Sequence, residues 1–233
     1  MAPSETRRRW DETAWIASLL AIFTAGTVAG WISYLFVPSP HHFDAESFSA
    51  LIFVRESAAL GALALFATRY LKISSTDLGI TRVRLPHVLV GVAAAVAFVF
   101  TISPILDRFL PPPAHNVFAE VLANSTTADR LIYFAVIGVY SPIIQELVFR
   151  GLLLTGLLQR TNVVVAILLS SLLFALSHMQ NGVRATMSAF FFGIVVGSLY
   201  TRLRSLSASI ACHIAINSTF VSVSPVILHS NHH

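Results

Sequence analysis

The chain has 233 residues, of which 55% are hydrophobic and 11% charged, and its mean hydropathy is +0.75. A soluble domain carries about 25% charged residues, so the composition excludes an ordinary soluble fold and points to a polytopic membrane protein. A net charge of +4 and a pI near 9.7 do not mark a nucleic-acid binder, because the bases fall in short loops between apolar runs and form no patch. The single cysteine, Cys212, excludes an internal disulfide and reads as a small residue packed between helices.

In chain order, a polar start carrying Arg7, Arg8 and Arg9 leads into an apolar run over 13–37. That run is too long for the roughly 7–15-residue core of a signal peptide, so it reads as an uncleaved first span. Further spans follow at 47–68, 85–106, 131–158, 162–178, 183–200 and 206–228. Each is near the ~20 residues needed to cross ~30 Å of hydrocarbon. An eighth, short helical piece is expected at the interface over 118–123, after the prolines at 111–113. The expected fold is therefore all-α, a transmembrane bundle of seven to eight spans.

The bases set the orientation. With the N-terminus in the cytoplasm, the inner side receives Arg7, Arg8, Arg9, Arg69, Lys72, Arg82, Arg84, Arg160, Arg202 and Arg204. The outer side receives Arg108, Arg130 and Arg184, so the positive-inside rule favours N-in, C-out. The chain length and lack of an organelle signal point to a prokaryotic plasma membrane. No internal repeat of the kind transporters carry is visible.

Chemistry concentrates in 141–150, S-P-I-I-Q-E-L-V-F-R, inside the fourth apolar run. Ionisable groups at membrane depth are costly and mark functional sites by default. Glu146 and Arg150 are four apart and share a helix face, as do Phe174 with His178 and His213 with Asn217. Pro142 lacks an N–H, which frees the carbonyl of Gly138 for another partner.

At 1.5 Å per residue, Glu146 and His178 lie roughly 22 and 26 Å from the turn near Arg160, in one layer. His213 lies only roughly 14 Å beyond Arg204, so it needs a deeper start or a tilt to join them. Arg55 and Glu56, inside the second span, are adjacent and diverge by about 100°, so each needs a partner on another helix.

Each pair has a plainer reading: an interfacial His178, an i,i+4 ion pair, cross-helix bonds from His213 and Asn217. Three pairs in neighbouring spans favour a site. An acid, two imidazoles and an amide in a membrane pocket suit hydrolysis, by accepting a proton from water and donating to an oxyanion. Glu146, His178 and His213 also make a possible His₂Glu zinc set. Spacing leaves the zinc and metal-free readings both open.

At these residues the chain resembles the CPBP family, the intramembrane endopeptidases that include the CAAX prenyl proteases and the bacteriocin-processing Abi proteins. The family motifs E-E-x-x-x-R, F-x-x-x-H and H-x-x-x-N/D read here as Gln145-Glu146-Leu-Val-Phe-Arg150, Phe174-Ala-Leu-Ser-His178 and His213-Ile-Ala-Ile-Asn217. The resemblance implies a helical bundle with a water-filled site open to the cytoplasm, cutting a membrane-embedded or prenylated peptide or protein within the lipid bilayer. It further implies a first motif glutamate that activates water with His178, and an oxyanion held by His213 and Asn217.

The organisation expected is a basic cytoplasmic N-terminus (1–12), N-terminal spans and loops (13–130), a CPBP-like catalytic-type core (131–228) and a tail (229–233). Gln145 stands where the family has its first glutamate, and an amide cannot accept the proton. Three readings follow: an introduced Glu→Gln change, a non-catalytic substrate-binding or bacteriocin self-immunity protein, or Glu146 acting as the base.

Overall fold

A computed structural model describes residues 10–35, 44–112, 120–122 and 125–230, with side chains through Thr219. The described residues are helical throughout, without strands: α1 (Glu12–Tyr34), α2 (Ala45–Leu71), α3 (Leu85–Phe109), α4 (Thr127–Leu158), α5 (Val163–Leu176), α6 (Val183–Leu203) and α7 (Leu206–Ser230). Five of them, α1 to α4 and α6, are long and apolar enough to cross a membrane. Of the piece expected at 118–123, only Glu120–Leu122 lie among the described residues, and Arg7, Arg8 and Arg9 lie outside them.

Local chemistry sets the helix starts. Asp11 accepts from the Ala14 N–H, Asp44 from Ser47, and Asn162 from Val164 and Val165, each satisfying an orphan donor. Thr126 and Asp129 form a reciprocal capping box at the head of α4. The Asn162 cap starts α5 where the sequence places it, but α5 ends at Leu176, two residues short of the expected 178. Ser177 Oγ and His178 Nδ1 both donate to the Phe174 carbonyl, at 2.7 and 2.9 Å, and close the helix there.

α4 is the axis of the bundle. Of its most apolar stretch 44% is buried, against 17% for each of α1, α2 and α3. α2 and α7 pack along it, and α5 and α6 pack on its second half. Leu20, Trp31, Phe100, Phe109 and Leu131 project outward, as lipid-facing side chains do.

Close backbone approach fixes α7 against α3: a Cβ at Gly91 would collide with the Ala208 carbonyl. At one end of the bundle the Trp10 N–H donates to Gln159 Oε1, Arg160 to the Trp10 carbonyl, and the Leu206 N–H to the Gly79 carbonyl. At the other end Arg184, in the first turn of α6, reaches Asp107 and the Leu110 carbonyl. The loops therefore alternate between two ends as the span order requires.

Candidate active site

The site is built on an α4 that departs from α-helical winding. It is π-helical over Phe134–Tyr140 and again over Leu147–Leu154, with α-turns at Ser141–Glu146 between. Widened turns of this kind concentrate at functional sites. The loosened second stretch draws in side-chain donors. Thr155 Oγ1 donates to the Arg150 carbonyl, Ser170 Oγ to Phe149 and Trp15 Nε1 to Leu152, at 3.1, 3.1 and 3.2 Å.

Pro142 sits directly after the first widened stretch, where the Ser141 N–H bonds the Val136 carbonyl five residues back. On that winding a donor at position 142 would meet Ile137, not Gly138. Asn217 Nδ2 donates to the Ile137 carbonyl at 2.9 Å and takes its place. The partner expected for a proline-freed carbonyl is thus present, one residue earlier than straight α-helical counting puts it. One of the two amide hydrogens of Asn217 is committed to this bond.

Glu146, Arg150 and His213 form the buried heart. Glu146 and Arg150 are 0% exposed and His213 is 3% exposed. Glu146 Oε1 accepts from Arg150 Nη1 at 3.0 Å and bonds His213 Nδ1 at 2.8 Å. A carboxylate oxygen can only accept, so His213 carries its hydrogen on Nδ1 and leaves Nε2 as the nitrogen free for other chemistry. Arg150 also donates to the Gly193 carbonyl at 3.3 Å.

His213, expected to lie shallower than Glu146, nevertheless bonds it at 2.8 Å, and the wide turns of 147–154 account for part of the difference. More residues per turn mean less rise per residue, so Glu146 lies nearer the Arg160 end than counting at an α-helical rise implies.

Phe174 is the platform. It is 1% exposed, its ring lies 4.7 Å from the Arg150 guanidinium carbon, and its centroid is 4.6 Å from that of His178 and 5.7 Å from that of His213. A guanidinium over a ring face is favourable, more so when desolvated. His178 lies beyond the end of α5, so its place over Phe174 comes from the turn rather than from helical i,i+4 spacing. Its Nδ1 faces the Phe174 carbonyl, so Nδ1 carries the hydrogen and Nε2 the lone pair.

Gln145 faces another direction. Its Nε2 donates to Ser141 Oγ at 2.8 Å and to Glu56 Oε1 at 3.3 Å, and its Oε1 is buried without a partner. Ser141 Oγ donates to the same Glu56 oxygen at 3.2 Å, and Arg55 pairs with it at 2.7 Å. Ser57 and Tyr140 share a further bond at 2.9 Å between α2 and α4. The sequence places Ser141 at the head of the motif stretch and calls for partners of Arg55 and Glu56 on other helices. Glu56 finds Ser141 and Gln145 on α4, whereas Arg55 pairs with its neighbour Glu56. Helix-to-helix register decides the bonds of Glu56 to α4.

Among the described residues no three His, Cys, Asp or Glu side chains group to hold a metal ion. Glu146 Oε1 faces two N–H donors and both histidines turn Nδ1 to protein oxygens, which leaves Glu146 Oε2 and the two Nε2 atoms outside these bonds.

Residues 127–219 match the family model described as Type II CAAX prenyl endopeptidase Rce1-like. Comparison with curated proteins and with solved structures gives no match. The matched segment runs from the first turn of α4 to Thr219 in α7 and contains all three motifs.

Proposed function

We propose, on the match of residues 127–219 to the Type II CAAX prenyl endopeptidase Rce1-like family model, that the chain hydrolyses a peptide bond in a membrane-anchored or prenylated substrate. The observation that carries the reading is the Arg150–Glu146–His213 chain. A fully buried acid has its charge balanced by one neighbour and holds the imidazole of another, both through Oε1. Such an acid is architecture: it fixes a tautomer, as second-layer carboxylates do for functional histidines. His213 and His178 then offer Nε2 to the reaction, His213 for the oxyanion and His178 for the attacking water. Asn217 acts through the Ile137 carbonyl and its remaining N–H.

The test is cleavage of a fluorogenic peptide bearing a prenylated cysteine by the purified chain in proteoliposomes. Turnover by the unmodified chain is expected, falling about 10²–10⁴-fold in His178→Ala and about 10²–10³-fold in His213→Ala. Failure of both the unmodified chain and Gln145→Glu to cleave any prenylated or unprenylated peptide would sink the reading.

The amide at Gln145 favours one alternative, a non-catalytic protein that binds a membrane segment or confers immunity. Cleavage by Gln145→Glu alone, with equal substrate binding by both chains, is its signature. Stoichiometric zinc in the purified protein, lost together with activity on chelation, would argue against these roles for His178 and His213.

A further inference from the structure

Resting on that reading, we infer that Glu56 of α2 is the proton acceptor of this site, the carboxylate that Gln145 does not supply. Three observations converge on it. The Glu56 side chain is buried, at 8% exposed, in the middle of a span, where a carboxylate without a task is costly. It is bonded directly to the motif, to Gln145 Nε2 and Ser141 Oγ, so an acid stands within one hydrogen bond of the position whose acid is missing. All three of its donors, including Arg55, meet Oε1, and Oε2 has no donor among the described residues.

The roles then divide. Arg55 balances the buried charge. Gln145 and Ser141 orient the carboxylate through Oε1, Oε2 takes the proton, and His178 Nε2 positions the water by accepting a hydrogen bond from its other O–H. As the water oxygen bonds to the scissile carbonyl carbon, Glu56 Oε2 accepts the water's proton. When the C–N bond breaks, that proton passes to the leaving nitrogen, giving a carboxylic acid and an amine with no redox change. The amide at position 145 is also what keeps Glu56 in place, because a second carboxylate 3.3 Å away would repel it.

The experiment moves the carboxylate across that gap. In the proteoliposome assay Glu56→Gln, which keeps size and hydrogen-bonding capacity, should lower kcat by about 10²–10⁴-fold with KM little changed. The exchange variant Glu56→Gln/Gln145→Glu should recover turnover to within about tenfold, with the acid limb of the pH–rate profile displaced.

A merely structural Glu56 would show a loss that tracks thermal stability and no recovery on exchange. Glu56→Gln cleaving within threefold of the unmodified chain overturns the proposal, as does a folded but inactive exchange variant. If Glu56→Gln does not fold, the exchange variant decides, since it keeps one carboxylate beside Arg55. An unmodified chain that is inactive while Gln145→Glu cleaves overturns the role of Glu56 and leaves the protease reading standing. Inactivity of both overturns the two together.

Discussion

Arg150 carries a guanidinium with no solvent exposure at a depth where an unpaired charge is not tolerated. It persists because its charge is shared by a carboxylate at 3.0 Å, a backbone carbonyl at 3.3 Å and the face of Phe174. Removing one partner of such a pair strands the other: Arg150→Met should destabilise the protein by about 3–5 kcal/mol, read as chemical unfolding in detergent. Replacing both, Arg150→Met with Glu146→Leu, should recover most of that stability while cleavage stays lost, because His213 then has no acceptor to fix its tautomer. Recovery of activity together with stability would show that the pair has no part in holding His213. The i,i+4 spacing made this pair visible in the sequence. The bond between Glu56 and Gln145 was not, because residues 89 positions apart meet only through the relative register of two helices, on which neither hydropathy nor spacing bears.

At the scale of elements, the helix ends fall within four residues of the expected spans, because hydropathy and caps report where a helix starts and stops. Five of the seven described helices are long and apolar enough to cross a membrane. The winding of α4 was not legible in the sequence. An apolar run serves equally well at 3.6 residues per turn or at a wider turn, and only the neighbours supplying side-chain donors to the freed carbonyls select the second. This is why the carbonyl freed by Pro142 departed from simple counting, and part of why the depth of His213 did. The link between Pro142 and Asn217 can be measured as a cycle. Asn217→Ala leaves the Ile137 carbonyl buried without its donor and should cost about 1–3 kcal/mol. Pro142→Ala returns a backbone N–H that can serve that carbonyl. The double variant should therefore be more stable than the sum of the singles predicts, with a coupling of about 0.5–3 kcal/mol. Strict additivity in unfolding experiments would separate the proline from the amide.

For the whole molecule, the bundle would fold as well upside down, since its interior bonds do not sense the two sides of a membrane; only the loops do. The contacts of Trp10 with Gln159 and Arg160, and of Leu206 with Gly79, gather the start of α1, the 72–84 loop and the α4–α5 and α6–α7 turns at one end. That end carries Arg69, Lys72, Arg82, Arg84, Arg160, Arg202 and Arg204, against Arg108, Arg130 and Arg184 at the other. By the positive-inside rule, a bias of this size predicts that the basic end stays in the cytoplasm. Cys212 is fully buried, so an introduced cysteine reports without background. In intact spheroplasts expressing the chain, an impermeant maleimide should label Gln180→Cys, in the exposed α5–α6 loop, and should reach Thr161→Cys only after permeabilisation. The reverse pattern would invert the topology. It would also contradict the cytoplasmic opening that the family resemblance implies, since a substrate prenylated inside the cell could not then meet the site without first crossing.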